Sequence, residues 1–148
     1  MQPLNAETRA KIVRAAREWL GTPYHHHGRV KLAGTDCAMF PLAVYQECGV
    51  LPLDYQPPEY SIQWHLHKSE ELYLKAIDRF VREIAGPPQP ADFLVFRFGR
   101  TYSHGAIVVG WPTIIHSYIP HGVLLGNALR DGELLGRHYK LFEVKPDI

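Results

Sequence analysis

Three residues of this chain have types and a spacing suited to one kind of chemistry. Cys37 closes the stretch Gly34-Thr35-Asp36-Cys37, a glycine-containing loop that runs into helical periodicity. A cysteine is a nucleophile as its thiolate, and a helix N-terminus favours that form by presenting unpaired N–H groups. The competing reading is a small buried core residue, the commonest fate of a free cysteine. A cysteine nucleophile also needs a base, and the base needs something to orient it. His104 opens the apolar run Gly105-Ala106-Ile107-Val108-Val109-Gly110, and His116 lies on the segment that returns after Trp111-Pro112-Thr113. A hairpin centred on Gly110 makes the two histidines direct cross-strand neighbours, with Cβ atoms roughly 4.5–5.5 Å apart. One imidazole then takes the proton of Cys37 while the other fixes its tautomer. A register one residue off leaves two unrelated strand histidines facing solvent.

Other reactive side chains have simpler readings. Cys48 follows Cys37 by eleven residues, and on one helix that is roughly 16 Å, too far for the two to form a disulfide. Two free thiols fit a reducing compartment, and Cys48 is read as packing. The run His25-His26-His27, with His65 and His67, suggests a metal site. Consecutive residues point in different directions, however, and spacings such as His-Glu-x-x-His are missing. No metal and no cofactor are expected. His121 stands between Pro120 and Gly122, in a loop, and is the alternative to His116 as third catalytic member.

The elements that must position these residues follow from periodicity and punctuation. Asn5 is a good N-cap for a first helix bearing Ile12, Ala15, Ala16, Trp19 and Leu20, which Gly21 and Pro23 end. Residues 21–36 read as a loop. A second helix is expected from Cys37 to about Cys48, capped by Thr35 or Asp36, with Pro41 awkward inside it. A third is expected from about Ser69 to Ile84. After that the period changes, and Phe93–Phe96, Ala106–Val109 and Thr113–Ile115 read as strands, with Val123–Leu125 and Lys140–Val144 as weaker candidates. Helices first and antiparallel strands second make a single α+β domain over residues 1–148.

The composition agrees with one ordinary globular unit. A net charge of +1 without basic runs argues against a nucleic-acid surface, and no apolar stretch approaches the length of a membrane span. The polar opening Met1 to Arg14 lacks the apolar core of a signal peptide, so synthesis into the cytoplasm is expected.

The ordered set Trp19-Leu20-Gly21-Thr22-Pro23-Tyr24, Gly34-Thr35-Asp36-Cys37, Asp92-Phe93-Leu94-Val95-Phe96 and Ser103-His104-Gly105-Ala106-Ile107-Val108 resembles the NlpC and p60 family of bacterial cell-wall cysteine peptidases. His116-Ser117-Tyr118 falls where that family has its third catalytic residue. The resemblance covers roughly residues 10–125 and is strongest toward short single-domain members associated with phage tails. It implies a papain-like core with Cys37, His104 and His116 as catalytic residues. It further implies cleavage of peptidoglycan stem peptides, often between D-γ-glutamate and a diamino acid. Tyr24 would flank the nucleophile, Asp36 would pair with a substrate amine, and Ser103 would lie at the edge of the site. Ala38-Met39 replaces the usual Ser-Gly after Asp-Cys, a change beside the nucleophile that bears on bond specificity. Delivery by a phage-tail or gene-transfer particle would fit the expected absence of a secretion signal. The rival class is a structural tail-assembly protein with little turnover, which has no need of Cys37, His104 and His116.

Overall fold

The computed structural model describes residues 4–56 and 72–145. Its first helix, α1 (Ala6–Glu18), starts as the cap residue requires: Asn5 Oδ1 accepts from the Thr8 amide at 2.8 Å. Ile12, Ala15 and Ala16 form its buried face. Gly21 turns the chain away at φ +89°, a conformation that costs glycine little. Within the segment read as a loop, β1 (Arg29–Val30) and β2 (Gly34–Thr35) pair as a two-residue antiparallel ribbon.

The second helix, α2 (Met39–Glu47), begins two residues after Cys37. That later start resolves the awkward proline. Pro41 is the third helical residue, where the backbone N–H has no intrahelical acceptor to lose. Phe40 through Gln46 are all buried, as in a helix covered on every side.

The third helix differs from expectation. α3 spans only Leu72–Ile77, and Val81–Glu83 forms a strand, β3, in place of the predicted helix end at Ile84. Residues 69–71 of that prediction lie outside the described residues. β3 pairs with β8 (Tyr139–Val144), Val81 opposite Val144, and Arg82 reaches Glu143 at 2.9 Å. A non-local partner thus overrides a local helical pattern. The remaining strands contain every predicted run: β4 (Phe93–Phe98), β5 (Thr101–Gly110), β6 (Thr113–Tyr118) and β7 (Gly122–Asn127). They form one antiparallel sheet in the order β3-β8-β4-β5-β6-β7.

The two faces of the sheet carry separate cores, divided by the period-two alternation of strands. Phe93, Val95, Ile107 and Ile115 join Ile12, Ala16, Phe40, Val44 and Tyr73 on the helical face. Leu94, Phe96, Ala106, Val108 and Ile114 occupy the alternate positions, with Ala128 and Leu134 from the segment after β7. Arg9 fastens α1 to the sheet, bonding Asp92 at 2.8 Å and Glu143 at 3.0 Å.

The β5–β6 register departs from the predicted one. Ile107 faces Ile115, Val108 faces Ile114, and an irregularity precedes the pair Gly110 and Thr113. The turn therefore falls at Trp111-Pro112 and not at Gly110. Continuing this register sets His104 opposite Tyr118 and His116 opposite Ala106. The two histidines are diagonal neighbours. A displacement of two residues keeps them on one face, where a displacement of one would have parted them.

Candidate active site

The site forms where two strands separate. β5 is paired to β4 from Thr101 onward, but its pairing to β6 covers only Ile107–Gly110. Ser103 and Gly105, in step with Ile107, direct their backbone groups toward the missing stretch of β6. Cys37 takes up the first of them. Its thiol donates to the Ser103 carbonyl at 3.6 Å, and the Gly105 amide and the Tyr24 hydroxyl lie near enough to favour its thiolate. Tyr73, not anticipated from the sequence, donates its hydroxyl to the Cys37 carbonyl at 2.7 Å. The lack of a side chain at Gly105 is structural, because a Cβ there would overlap the Tyr73 hydroxyl. A glycine inside a strand is the available signal for such an approach.

Asp36 caps the helix that follows Cys37. Its Oδ1 accepts from the amides of Ala38 at 3.1 Å and Met39 at 2.8 Å, and its Oδ2 from that of His27 at 2.8 Å. The carboxylate is buried, and both of its oxygens accept from backbone amides. The cap also changes the electrostatics expected at Cys37. Burial pushes the thiol up to about 12, and the neighbouring Asp36 carboxylate adds to the rise. The Gly105 amide and the Tyr24 hydroxyl pull the other way and lose. The expectation of a resting thiolate is thereby corrected: the positive helix end is answered by Asp36 and not by sulfur. Tyr24 is itself raised by burial and by the charges of Cys37 and Asp36, which keeps its phenol protonated and a donor.

The histidine pair forms as anticipated. His104 Nε2 and His116 Nδ1 are 2.7 Å apart. The His104 ring is enclosed by Phe96, Phe98 and Tyr118, with centroids 6.3, 5.4 and 5.2 Å away. Burial drives His104 well below its ordinary range, helped by His116 and Arg137. It lowers His116 to about 4 despite the opposing charges of Glu133 and Asp131. Both rings are neutral at neutral pH. Thiol and imidazole make no hydrogen bond to one another in this resting arrangement, a gap common in sites without substrate. Cys37 is hydrogen-bonded to Ser103, the residue before His104, and the Nδ1 of that ring is not used by His116.

The other candidates fall outside this constellation. His121 is exposed in the β6–β7 turn, and it is His116 that meets His104. Ser103 Oγ is buried with no hydrogen-bond partner among the described residues. Cys48 is buried, its thiol 3.7 Å from the Lys11 carbonyl, in the packing position expected of it. His26 and His27 stack at 3.8 Å, and His26 Nδ1 lies 3.7 Å from Asp36. Among the described residues no group of His, Cys, Asp and Glu is arranged to hold a metal ion, and His65 and His67 lie outside them.

A cysteine at a helix entrance, packed against an antiparallel sheet that carries a histidine pair, belongs to a papain-like α+β core. More particularly, the fold is that of NlpC/p60 domains. The NlpC/p60 domain of the peptidoglycan hydrolase SagA is 19% identical over 93% of this chain and 98% of that one, with a TM-score of 0.58. A Staphylococcus aureus protein described as similar to lipoprotein, NLP/P60 family, gives 20% identity, 97% coverage of this chain and a TM-score of 0.66. An NlpC protein of Trichomonas vaginalis gives 15%, 96% and 0.62. This chain spans only 43% and 45% of the lengths of those two. No protein-family model and no curated protein matches the sequence.

Proposed function

We propose that the chain is a cysteine hydrolase that cuts peptide or amide bonds in the stem peptides of bacterial peptidoglycan. The observation that carries this reading is the buried, neutral His104–His116 pair set beside Cys37 at the parting of β5 and β6. A raised thiol and a depressed imidazole define a neutral couple, so the proton moves during attack and not before it. As sulfur bonds to the substrate carbonyl carbon, the thiol proton passes to His104 Nδ1, and His116 holds the ring by its other nitrogen. The backbone N–H of Cys37 and the Tyr24 hydroxyl are the donors for the oxyanion. The imidazolium then protonates the departing amine, leaving a thioester that water cleaves with His104 as base.

Finer features belong to the same proposal: a γ-D-glutamyl–diamino acid bond as target, Ser103 Oγ as a substrate contact, and phage-tail or gene-transfer particles as the carrier of a chain made in the cytoplasm. The SagA domain, described as part of a peptidoglycan hydrolase, and the resemblance in sequence support the substrate class.

Mass-spectrometric digestion of defined muropeptides tests it. Wild type releases cleaved stem peptides, Cys37→Ala does not, and His104→Ala loses about 10²–10⁴-fold in kcat/KM. His116→Asn keeps part of the turnover, and His121→Ala is nearly silent. If wild type cuts none of the muropeptides, or Cys37→Ala cuts them equally, the reading fails.

A further inference from the structure

The proposed mechanism requires one tautomer of the histidine pair, and the structure contains a group placed to choose it. A neutral imidazole donates from one nitrogen and accepts at the other. One proton lies between His104 Nε2 and His116 Nδ1 across their 2.7 Å contact. With that proton on His104, its Nδ1 is bare and able to take the proton of Cys37. With it on His116, the Nδ1 of His104 is already protonated and useless as a base. The choice propagates to the far nitrogen of the pair. His116 Nε2 must carry a proton in the productive arrangement and must be bare in the other.

That far nitrogen is the exposed end of the question, although it is sealed from solvent. His116 is 0% exposed, and its Nε2 has no hydrogen-bond partner among the described residues. It points across Gly126 of β7, where a Cβ would stand 2.9 Å from His116 Nε2 and 3.0 Å from Asp131 Oδ2. Imidazole nitrogen and carboxylate oxygen thus approach the same point over a residue with no side chain. Asp131 is held there, because its Oδ2 accepts from the Asn127 amide at 2.8 Å. We propose that Asp131 is a positioning residue that keeps the proton of His116 on Nε2, and so leaves His104 Nδ1 bare for Cys37. The assignment rests on the cysteine-hydrolase reading above and adds a fourth member to its relay. Glu133 and Arg137 are the other charged groups felt by the pair, Glu133 by His116 and Arg137 by His104. Neither supplies any of the three atoms nearest the Gly126 point, which belong to His116 and Asp131.

The experiment is a long-range ¹H–¹⁵N spectrum of the histidine rings at pH 7, in wild type, Asp131→Asn and Glu133→Gln. Wild type should show His104 and His116 both protonated on Nε2. Asp131→Asn can still accept from Asn127, but its amide donates toward His116. Both rings should then move to the Nδ1–H form, with kcat/KM on a muropeptide down about 10²–10⁴-fold and KM little changed. Glu133→Gln should leave the tautomers as in wild type. A wild-type spectrum with His116 protonated on Nδ1 overturns the proposal without any variant being needed. So does an Asp131→Asn spectrum identical to wild type, or a flip produced by Glu133→Gln alone. Tautomers that respond as expected in a protein that cuts no muropeptide would uphold the role of Asp131 and sink the hydrolase reading instead.

Discussion

At Cys37, two effects of opposite sign meet, and their sizes decide the resting state. A helix entrance and nearby donors favour thiolate, while enclosure and the Asp36 carboxylate oppose it and prevail, with the thiol near 12. The consequence is a pH profile. A preformed thiolate–imidazolium pair would alkylate at a rate flat through neutrality. Here the thiolate fraction should grow about tenfold per pH unit, so iodoacetamide labelling of Cys37, followed by peptide mapping, should climb steadily from pH 7 to 10. A plateau between pH 5 and 8 would show that the ion pair exists at rest. The Ala38-Met39 departure bears on the same residue, since the amides of Ala38 and Met39 are those that Asp36 caps.

At the level of elements, the site depends on close approach between α3 and β5. Tyr73 on α3 reaches the Cys37 carbonyl only because Gly105 leaves room in β5. Gly105→Ala should displace the Tyr73 hydroxyl, lower stability by about 1–3 kcal/mol as overpacking does, and reduce turnover in the fraction that folds. Gly110 supplies the control within the same strand. A Cβ there meets nothing within 4 Å, so Gly110→Ala should stay within about 0.5 kcal/mol of wild type. Urea unfolding of both variants makes the comparison; equal midpoints would remove the packing role assigned to Gly105. The parting of β5 and β6 matters equally, because a ladder continued past Ile107 would occupy the backbone group that Cys37 uses.

For the whole molecule, the buried histidine pair links folding to acidity. Both rings titrate lower when folded than the ordinary 6.5, His116 at about 4. On acidification the unfolded chain therefore binds protons first, so stability present above pH 6.5 is lost as the pH falls toward 4. His116 alone corresponds to about 3 kcal/mol across that window. Calorimetry should find Tm falling by several degrees between pH 6.5 and 4, with a shallower fall in His116→Asn, whose side chain does not titrate. Identical slopes would mean that the ring is not held neutral by the fold. The segment after β7 belongs to this scale too, since Leu134 joins Leu94 and Phe96 in covering the sheet face that His104 shares through Phe96.

The sequence by itself determined what is local or repeats with a fixed period. The Asn5 cap and the apolar face of α1, the five strand runs, and the even spacing of His104 and His116 all survive in the structure, because each is written in neighbouring residues. Even spacing was enough to keep the histidines on one face, although the turn lies elsewhere and the predicted register was two residues off. Tertiary structure decided what depends on distant partners. Val81–Glu83 became a strand because β8 lies beside it, and Pro41 became harmless because α2 starts at Met39. Tyr73 joined the site through a carbonyl thirty-six positions away along the chain. The protonation of Cys37 was decided last and least locally, because desolvation is set by everything packed around a group and no motif records it.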